Sequence, residues 1–239
     1  MLEINKIYHG DCREMLRQVG ANTCDLAVSS PPYKNIDNYS ENLISNVCDQ
    51  LYRVLKPNCL FFLNFGSLAE DKFRPFKVCE LAMRSGFKLN DTITWVKNHY
   101  KPIQGKRRLN NLTEFIFLLY KENMPILDRL AIGIPYVDPS NAKRFNNGQN
   151  LKCRGNTWFI DYETVNSKEE KLHNDRFPLE LPELCIKLSG IRNKDIVIDP
   201  FMGSGTVALA AKNLNKQYLG FDISPEYVNI SNNRLNQNI

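Results

Sequence analysis

Residues 195–222 read DIVIDPFMGSGTVALAAKNLNKQYLGFD. An apolar run, DIVID, has the length and β-branched content of a buried strand, and a glycine turn follows at Gly203 and Gly205. TVALAAKNL then repeats apolar residues at helical spacing, and YLGFD closes the unit as a second strand ending in Asp222, about twenty residues past the turn. Glycines at such a turn let the backbone pass close to a ligand, and the helix start beyond them offers unpaired N–H groups to a carboxylate or phosphate. A carboxylate at the end of the second strand can accept hydrogen bonds from both hydroxyls of a ribose. Gly-Ser-Gly alone would fit a tight turn with no ligand; the strand, the helix and the distant Asp together fit an adenosyl group. NAD is disfavoured, because a third close-packing glycine is missing and the loop opens with Asp199-Pro200.

This unit lies at the end of the chain opposite to the one a standard dinucleotide-binding protein would use. Strand and helix units nevertheless begin at the N-terminus, so both ends must meet in one sheet, and a circularly permuted order is expected. From the start, Ile4 to Tyr8 reads as a strand, Asp11 to Val19 as a helix and Asp25 to Ser29 as a strand. Ser40 could cap a helix carrying Leu43, Ile44, Val47, Leu51, Tyr52 and Leu55, ending at Lys56 before Pro57. CLFFLNFG, a helix with Phe76, Val78, Leu81 and Ala82 that stops near Gly86, then DTITWVK and EFIFLLYK, continue the alternation. FPLELPELCIKLSG suits a helix with Pro178 in its first turn and Gly190 at its end, and a last helix starts at Pro225. The expected architecture is α/β: a mostly parallel twisted sheet with helices on both faces, formed by residues 1–121 and 173–239. Residues 122–172, rich in Asn, Gly, Pro and Lys/Arg with TWFIDY as the one apolar core segment, read as a small inserted lobe.

Bulk properties agree with a folded enzyme-sized domain. The chain has 239 residues, 43% hydrophobic and 24% charged, with a net charge of +5. Apolar runs such as Phe115 to Tyr120 are too short to cross a bilayer and no leader pattern opens the chain, so a soluble, cytoplasmic protein is expected. Seven cysteines (12, 24, 48, 59, 79, 153 and 185) form no CxxC pair and no zinc-type cluster; they read as buried free thiols, with no metal expected. Basic charge gathers mid-chain. Lys97, Lys101, Lys106, Arg107 and Arg108 fall between Val96 and Leu112 with no acidic residue, and Lys143, Arg144, Lys152 and Arg154 form a second patch.

A second motif, Ser30-Pro31-Pro32-Tyr33, follows the strand CDLAVS. Together with Asp199-Pro200-Phe201-Met202-Gly203-Ser204-Gly205-Thr206, it resembles the catalytic and cofactor motifs of amino-group DNA methyltransferases in the permuted order of their beta group. The resemblance covers nearly the whole chain outside the lobe. It implies a Rossmann-like fold, S-adenosyl-L-methionine as cofactor, and methylation of cytosine N4 or adenine N6 in double-stranded DNA. It also implies a target-recognition role for the lobe, and the company of a restriction endonuclease is possible in such systems. The Ser-Pro-Pro-Tyr form is mostly found in cytosine-N4 enzymes. Carried over by position, Asp199, Phe201, Gly203, Ser204, Gly205 and Thr206 surround the methionine part of the cofactor and Asp222 its ribose. Asp11 lies near the adenine, and Phe177-Pro178 matches the remaining cofactor motif.

The catalytic motif has a chemical logic. An exocyclic amine is a poor nucleophile because its lone pair is delocalised into the ring, and two acceptors set around the nitrogen would localise that pair. Ser30 Oγ and the Pro31 carbonyl can be those acceptors, held by the stiff Pro31-Pro32 backbone. The target base must leave the duplex, at a few kcal/mol, and Tyr33 can offset part of that by stacking, typically roughly 1–3 kcal/mol per base. Lys34 and the basic patches are candidates for phosphate and base contacts. A serine hydroxyl does not serve as general base here. Carbon-5 methylation is disfavoured, since no Pro-Cys pair occurs. The adenine-N6 reaction, an RNA or protein-amide substrate, and a DNA-binding homologue without activity remain the rival readings.

Overall fold

The computed structural model describes residues 2–32, 41–98, 107, 109–145, 147–161 and 177–237. Its elements run β1 (Lys6–His9), α1 (Cys12–Arg17), β2 (Cys24–Ser29), α2 (Glu41–Val54), β3 (Leu55–Gly66), α3 (Arg74–Arg84), β4 (Lys88–Val96) and β5 (Thr113–Tyr120). They continue with α4 (Ser140–Phe145), β6 (Thr157–Phe159), α5 (Glu180–Ser189), β7 (Ile196–Asp199), α6 (Thr206–Asn213), β8 (Gln217–Asp222) and α7 (Pro225–Gln237). The strands form one sheet in the order β1-β8-β7-β2-β3-β5-β4-β6, in which β5 alone runs against its neighbours β3 and β4. The first and last strands pair in parallel, Ile7 opposite Gly220 and His9 opposite Asp222, so the two chain ends do meet in one sheet.

The continuous apolar runs of the central strands follow from burial on both faces. Leu26, Val28, Leu60, Phe62, Ile116 and Leu118 point to one side and pack with residues of α5, α6 and α7. Ala27, Phe61, Leu63, Phe117 and Leu119, one residue out of phase, point to the other and pack with α1, α2 and α3. That alternation with period two puts helices on both faces of the sheet. Met124, Leu127, Ile132, Trp158 and Ile160, from the stretch read as a lobe, pack into or against this core. β6 adds the edge strand beside β4, with Trp95 opposite the fully buried Trp158, and the Trp95 indole donates to the Ile160 carbonyl at 2.9 Å. Among the described residues no helix is long and apolar enough to cross a membrane.

Several boundaries differ from the sequence reading, each for a local reason. β1 starts at Lys6 rather than Ile4 because Asn5 takes a left-handed φ of 62° while its N–H bonds Tyr218. α2 stops at Val54, and β3 begins at once: Leu55 pairs with Cys24, and the register shift before Leu26 absorbs Pro57 and Asn58, the latter at φ 59°. The Ser40 cap lies outside the described residues. Pro178 precedes α5 instead of sitting in its first turn, a place taken by Pro182, whereas Gly190 closes the helix at φ 67° as expected. Phe76 is partly exposed, its ring 5.1 Å from that of Phe115. The cysteines are all free, but Cys59 is half-buried and Cys153 is exposed in the irregular stretch before β6, so the expectation of seven buried thiols is corrected to five. Burial pushes the Cys12, Cys24 and Cys48 thiols up to about 12, which leaves them unreactive.

Candidate active site

Between β7 and β2 the chain's order of strands reverses direction, and in open α/β sheets ligands bind beyond the carboxyl ends of strands at such a point. β2 and β7 pair directly, Leu26 with Val197 and Ala27 with Ile198, so the loops that follow them start side by side. Ser29 and Asp199 close that junction: the Ser29 hydroxyl donates to Asp199 Oδ1 at 2.7 Å, and the Phe201 N–H donates to the same oxygen at 2.9 Å. Hydrogen bonds to a charged group contribute about 1.5–3 kcal/mol, enough to pin the two loops together. Burial pushes the Asp199 carboxyl up to about 7; the N–H of Phe201 and the Ser29 hydroxyl work against that shift, and the nearby Asp222 charge adds to it.

Ser30 begins the loop that follows β2. Its hydroxyl donates to Asn64 Oδ1 at 3.1 Å, and the Asn64 amide donates in turn to the Phe115 carbonyl at 3.2 Å, which orients the amide oxygen toward the serine. A hydroxyl oxygen whose proton is committed to Asn64 meets a further donor, such as an amine, only as an acceptor. Pro31 is buried and shares an apolar wall with Pro200 and Phe201, built from Ile44, Val47, Cys48 and Leu51 of α2 with Phe61 and Leu63 of β3. Pro32 is described and exposed; Tyr33 and Lys34 lie outside the described residues.

On the other side of the junction, the loop 200–205 turns through left-handed backbone at Gly203, φ 52°, and Gly205, φ 82°. Gly203 donates its N–H to Asp222 Oδ2 and Ser224 donates to Oδ1, each at 2.8 Å, so Asp222 holds the turn while its remaining lone pairs can take ribose hydroxyls. Burial raises the Asp222 carboxyl above its ordinary value, opposed by those two N–H groups and by His9. Gly205 caps α6 without a side chain, leaving the first-turn amides for an anion. A Cβ there would stand 2.6 Å from Ser231 Cβ of α7. Gly205→Ala, strained in φ and overpacked, is expected to cost roughly 2–5 kcal/mol and to weaken cofactor binding; denaturant unfolding and a cofactor titration check both.

The remaining positions divide. Asp11 follows β1 at the same end of the sheet, where Gly10 N–H bonds the Asp222 carbonyl at 2.9 Å. The Asp11 side chain caps α1 through Arg13 N–H, and the hydrogen-bonded Arg13 guanidinium holds its carboxyl below the ordinary value. Phe177 packs against the core beside buried Pro178, just before α5. Among the basic residues, Lys97 is turned inward: it pairs with Glu114 and lies 4.7 Å over the Trp95 ring. Arg154 bonds the Ile132 carbonyl and faces Glu180, and the Lys152 ammonium sits 6.0 Å over Tyr136. Arg107, Lys143 and Arg144 are exposed; Lys101, Lys106 and Arg108 fall outside the described residues. Asn111, at the end of the basic stretch, donates to the Ser67 carbonyl at 3.4 Å, one residue past the end of β3. Among the described residues no group of histidine, cysteine and carboxylate side chains gathers as metal ligands.

The family model of DNA methylases described as N6_N4_Mtase matches residues 24–233. The chain belongs to this family. The type II methyltransferase M1.MboII of Moraxella bovis is 31% identical over 99% of this chain and 98% of its own. Among solved structures, PvuII DNA methyltransferase (cytosine-N4-specific) superposes with a TM-score of 0.79 at 22% identity, covering 98% of this chain and 87% of that one. The M1.HpyAVI–SAM complex gives 0.67 at 26% identity, over 97% and 98%. This DNA methylase is therefore an S-adenosylmethionine-dependent DNA amino-methyltransferase on the α/β fold expected from its sequence. Its own residues fit that cofactor, with a buried carboxylate at Asp199 for a cationic group, Asp222 for hydroxyls, and backbone without Cβ at Gly203 and Gly205 for close approach.

Three residues at this site escaped the sequence reading. Ser29 hides inside a buried strand. Asn64 is a lone amide within FFLNFG, and a polar side chain in an otherwise continuous apolar run was the signal available. Arg234 lies far along α7, where nothing in the spacing marks it.

Proposed function

We propose that this DNA methylase transfers a methyl group to the N4 amine of a cytosine flipped out of double-stranded DNA. The observation that carries the reading is the Ser30 hydroxyl, polarised by Asn64 so that it meets an amine as acceptor, one residue from the Ser29–Asp199 bond that ties it to the glycine loop. The cofactor supplies a methyl carbon on a sulfonium sulfur. Ser30 Oγ and the Pro31 carbonyl accept the two amine hydrogens and turn the nitrogen lone pair out of ring conjugation toward that carbon. As the N–C bond formed the S–C bond would break with the electron pair left on sulfur, and the methylated amine would then release one proton to water or a neighbouring group. Asp199, Phe201, Ser204 and Thr206 with the two loop glycines hold the methionine part, Asp222 the ribose, and Asp11 with Phe177-Pro178 the adenine side.

A serine at the head of the motif supports cytosine over adenine, and the fold similarity to a cytosine-N4-specific enzyme agrees. Residues 122–172 serve as the target-recognition region, with exposed Lys143 and Arg144 on α4, and Arg107 from the connection between β4 and β5, reaching phosphates or base edges. The catalytic motif precedes the cofactor motif along the chain, the permuted order of the beta group. Nucleoside analysis of DNA methylated by the protein tests the reading: N4-methylcytosine is the expected product, and N6-methyladenine would reassign the base.

A further inference from the structure

We propose that Arg234 is a positioning residue that fixes the glycine loop and sets its two hydroxyls as donors for the carboxylate of the cofactor's methionine part. The inference rests on the proposed role of that loop. From α7, Arg234 reaches across and one guanidinium nitrogen donates to the Ser204 carbonyl at 2.8 Å, to Ser204 Oγ at 3.2 Å and to Thr206 Oγ1 at 3.2 Å. A guanidinium has hydrogens to give and no lone pair to receive them, so both hydroxyl oxygens act as acceptors toward it and their protons face away from it. Ser204 and Thr206 are 6% and 5% exposed, and among the described residues neither hydroxyl makes a further hydrogen bond. Two buried O–H groups with committed oxygens and unspent protons, at the N-terminal turn of α6, are donors in search of an anion.

The same helix shapes the loop from behind. Ser231, one turn before Arg234, is fully buried and stands where a side chain at position 205 would have to go. The loop is thus pressed against α7 at Gly205 and held on either side of it by Arg234. The positive charge adds to the polarity, since an anion close to these hydroxyls also lies close to the guanidinium.

The test is a titration with two ligands, S-adenosylmethionine and its decarboxylated form, against wild type, Arg234→Ala, Arg234→Lys and Thr206→Val. Wild type is expected to prefer the carboxylated ligand by roughly tenfold or more, and Arg234→Ala to lose that preference, with its affinity for the decarboxylated form changed less than threefold. Arg234→Lys recovers part of the preference. Thr206→Val loses part of it, and combining it with Arg234→Ala costs less than the sum of the two, because both act on one hydrogen-bonded unit. If Arg234→Ala, or Arg234→Lys and Thr206→Val should the alanine variant not fold, bind the two ligands with the wild-type preference, Arg234 is only a packing residue and the inference is overturned. Asp222→Ala separates this from the wider reading: weakened binding of both ligands there, with preference intact in the Arg234 variants, removes the inference alone. Unchanged binding in Asp222→Ala removes the assignment of the site itself.

Discussion

Replacing Ser30 by alanine is expected to lower methyl-transfer turnover about 100- to 1,000-fold, with the cofactor dissociation constant within a factor of two of wild type. The size follows from losing one of two pre-oriented acceptors in a site where fixed dipoles replace water, and the Pro31 carbonyl accounts for the residual rate. Ser30 sits on the substrate side of the junction and donates to Asn64 on β3, while the glycine loop keeps its own anchors at Asp199 and Asp222. Single-turnover transfer of labelled methyl to duplex DNA, beside a cofactor titration, separates the two quantities. A variant with wild-type turnover, or one that loses cofactor binding in proportion to turnover, contradicts the assignment.

The second large effect is a trade between stability and binding at Asp199. Its folded carboxyl titrates near 7 instead of the ordinary 3.8, because burial penalises the charge more than the two hydrogen bonds relieve it. Between those values the native state holds a proton that the unfolded chain has released, so stability falls as pH rises from about 4 to about 7 and is level above. The span corresponds to about 4 kcal/mol. Asp199→Asn keeps the acceptor for Ser29 and Phe201 but carries no charge, so the ligand-free variant is expected to melt several degrees higher at pH 8 and to lose that slope. A cationic cofactor prefers the ionised carboxylate, so its affinity for wild type rises as pH climbs through 7, and the variant binds it weakly at every pH. Melting curves from pH 5 to 8 with and without cofactor read both halves; an unchanged slope in Asp199→Asn would place the ionisation elsewhere.

Much of the fold was legible because burial on two faces writes itself into the chain as uninterrupted apolar runs. CLFFLNFG, EFIFLLYK and DIVID each became a strand at the expected place, and the demand that β1 and β8 share a sheet was met residue by residue. Turns were legible where backbone geometry requires glycine, as at Gly190, Gly203 and Gly205. What escaped depended on long-range partners. The end of α2 was set by pairing of Leu55 with Cys24 thirty-one residues earlier, which no local propensity carries, and Pro57 was tolerated by a shifted register. Lys97 read as a candidate DNA contact, whereas the fold turns it inward onto Glu114 of β5.

The site divides along the same line. Motif residues announced themselves by type and spacing, whereas their supports did not. Ser29, Asn64 and Arg234 act through hydrogen bonds to residues 170, 51 and 34, and 30 positions away, pairings that no local pattern carries. A buried polar residue inside an apolar run is the trace such supports leave, visible at Asn64 and absent at Arg234.

The claim on which the rest depends is that the loops after β2 and β7 form one crevice in which Ser30 receives the target amine. Its most direct measurement is the distance from Ser30 Oγ to the exocyclic nitrogen of the flipped base in a ternary complex with duplex DNA and a non-reactive cofactor analogue. A separation of about 2.6–3.2 Å to cytosine N4, with the analogue lying over Gly203 and Gly205, is the expected result. A target base bound away from Ser30, or an analogue seated elsewhere on the sheet, would contradict it.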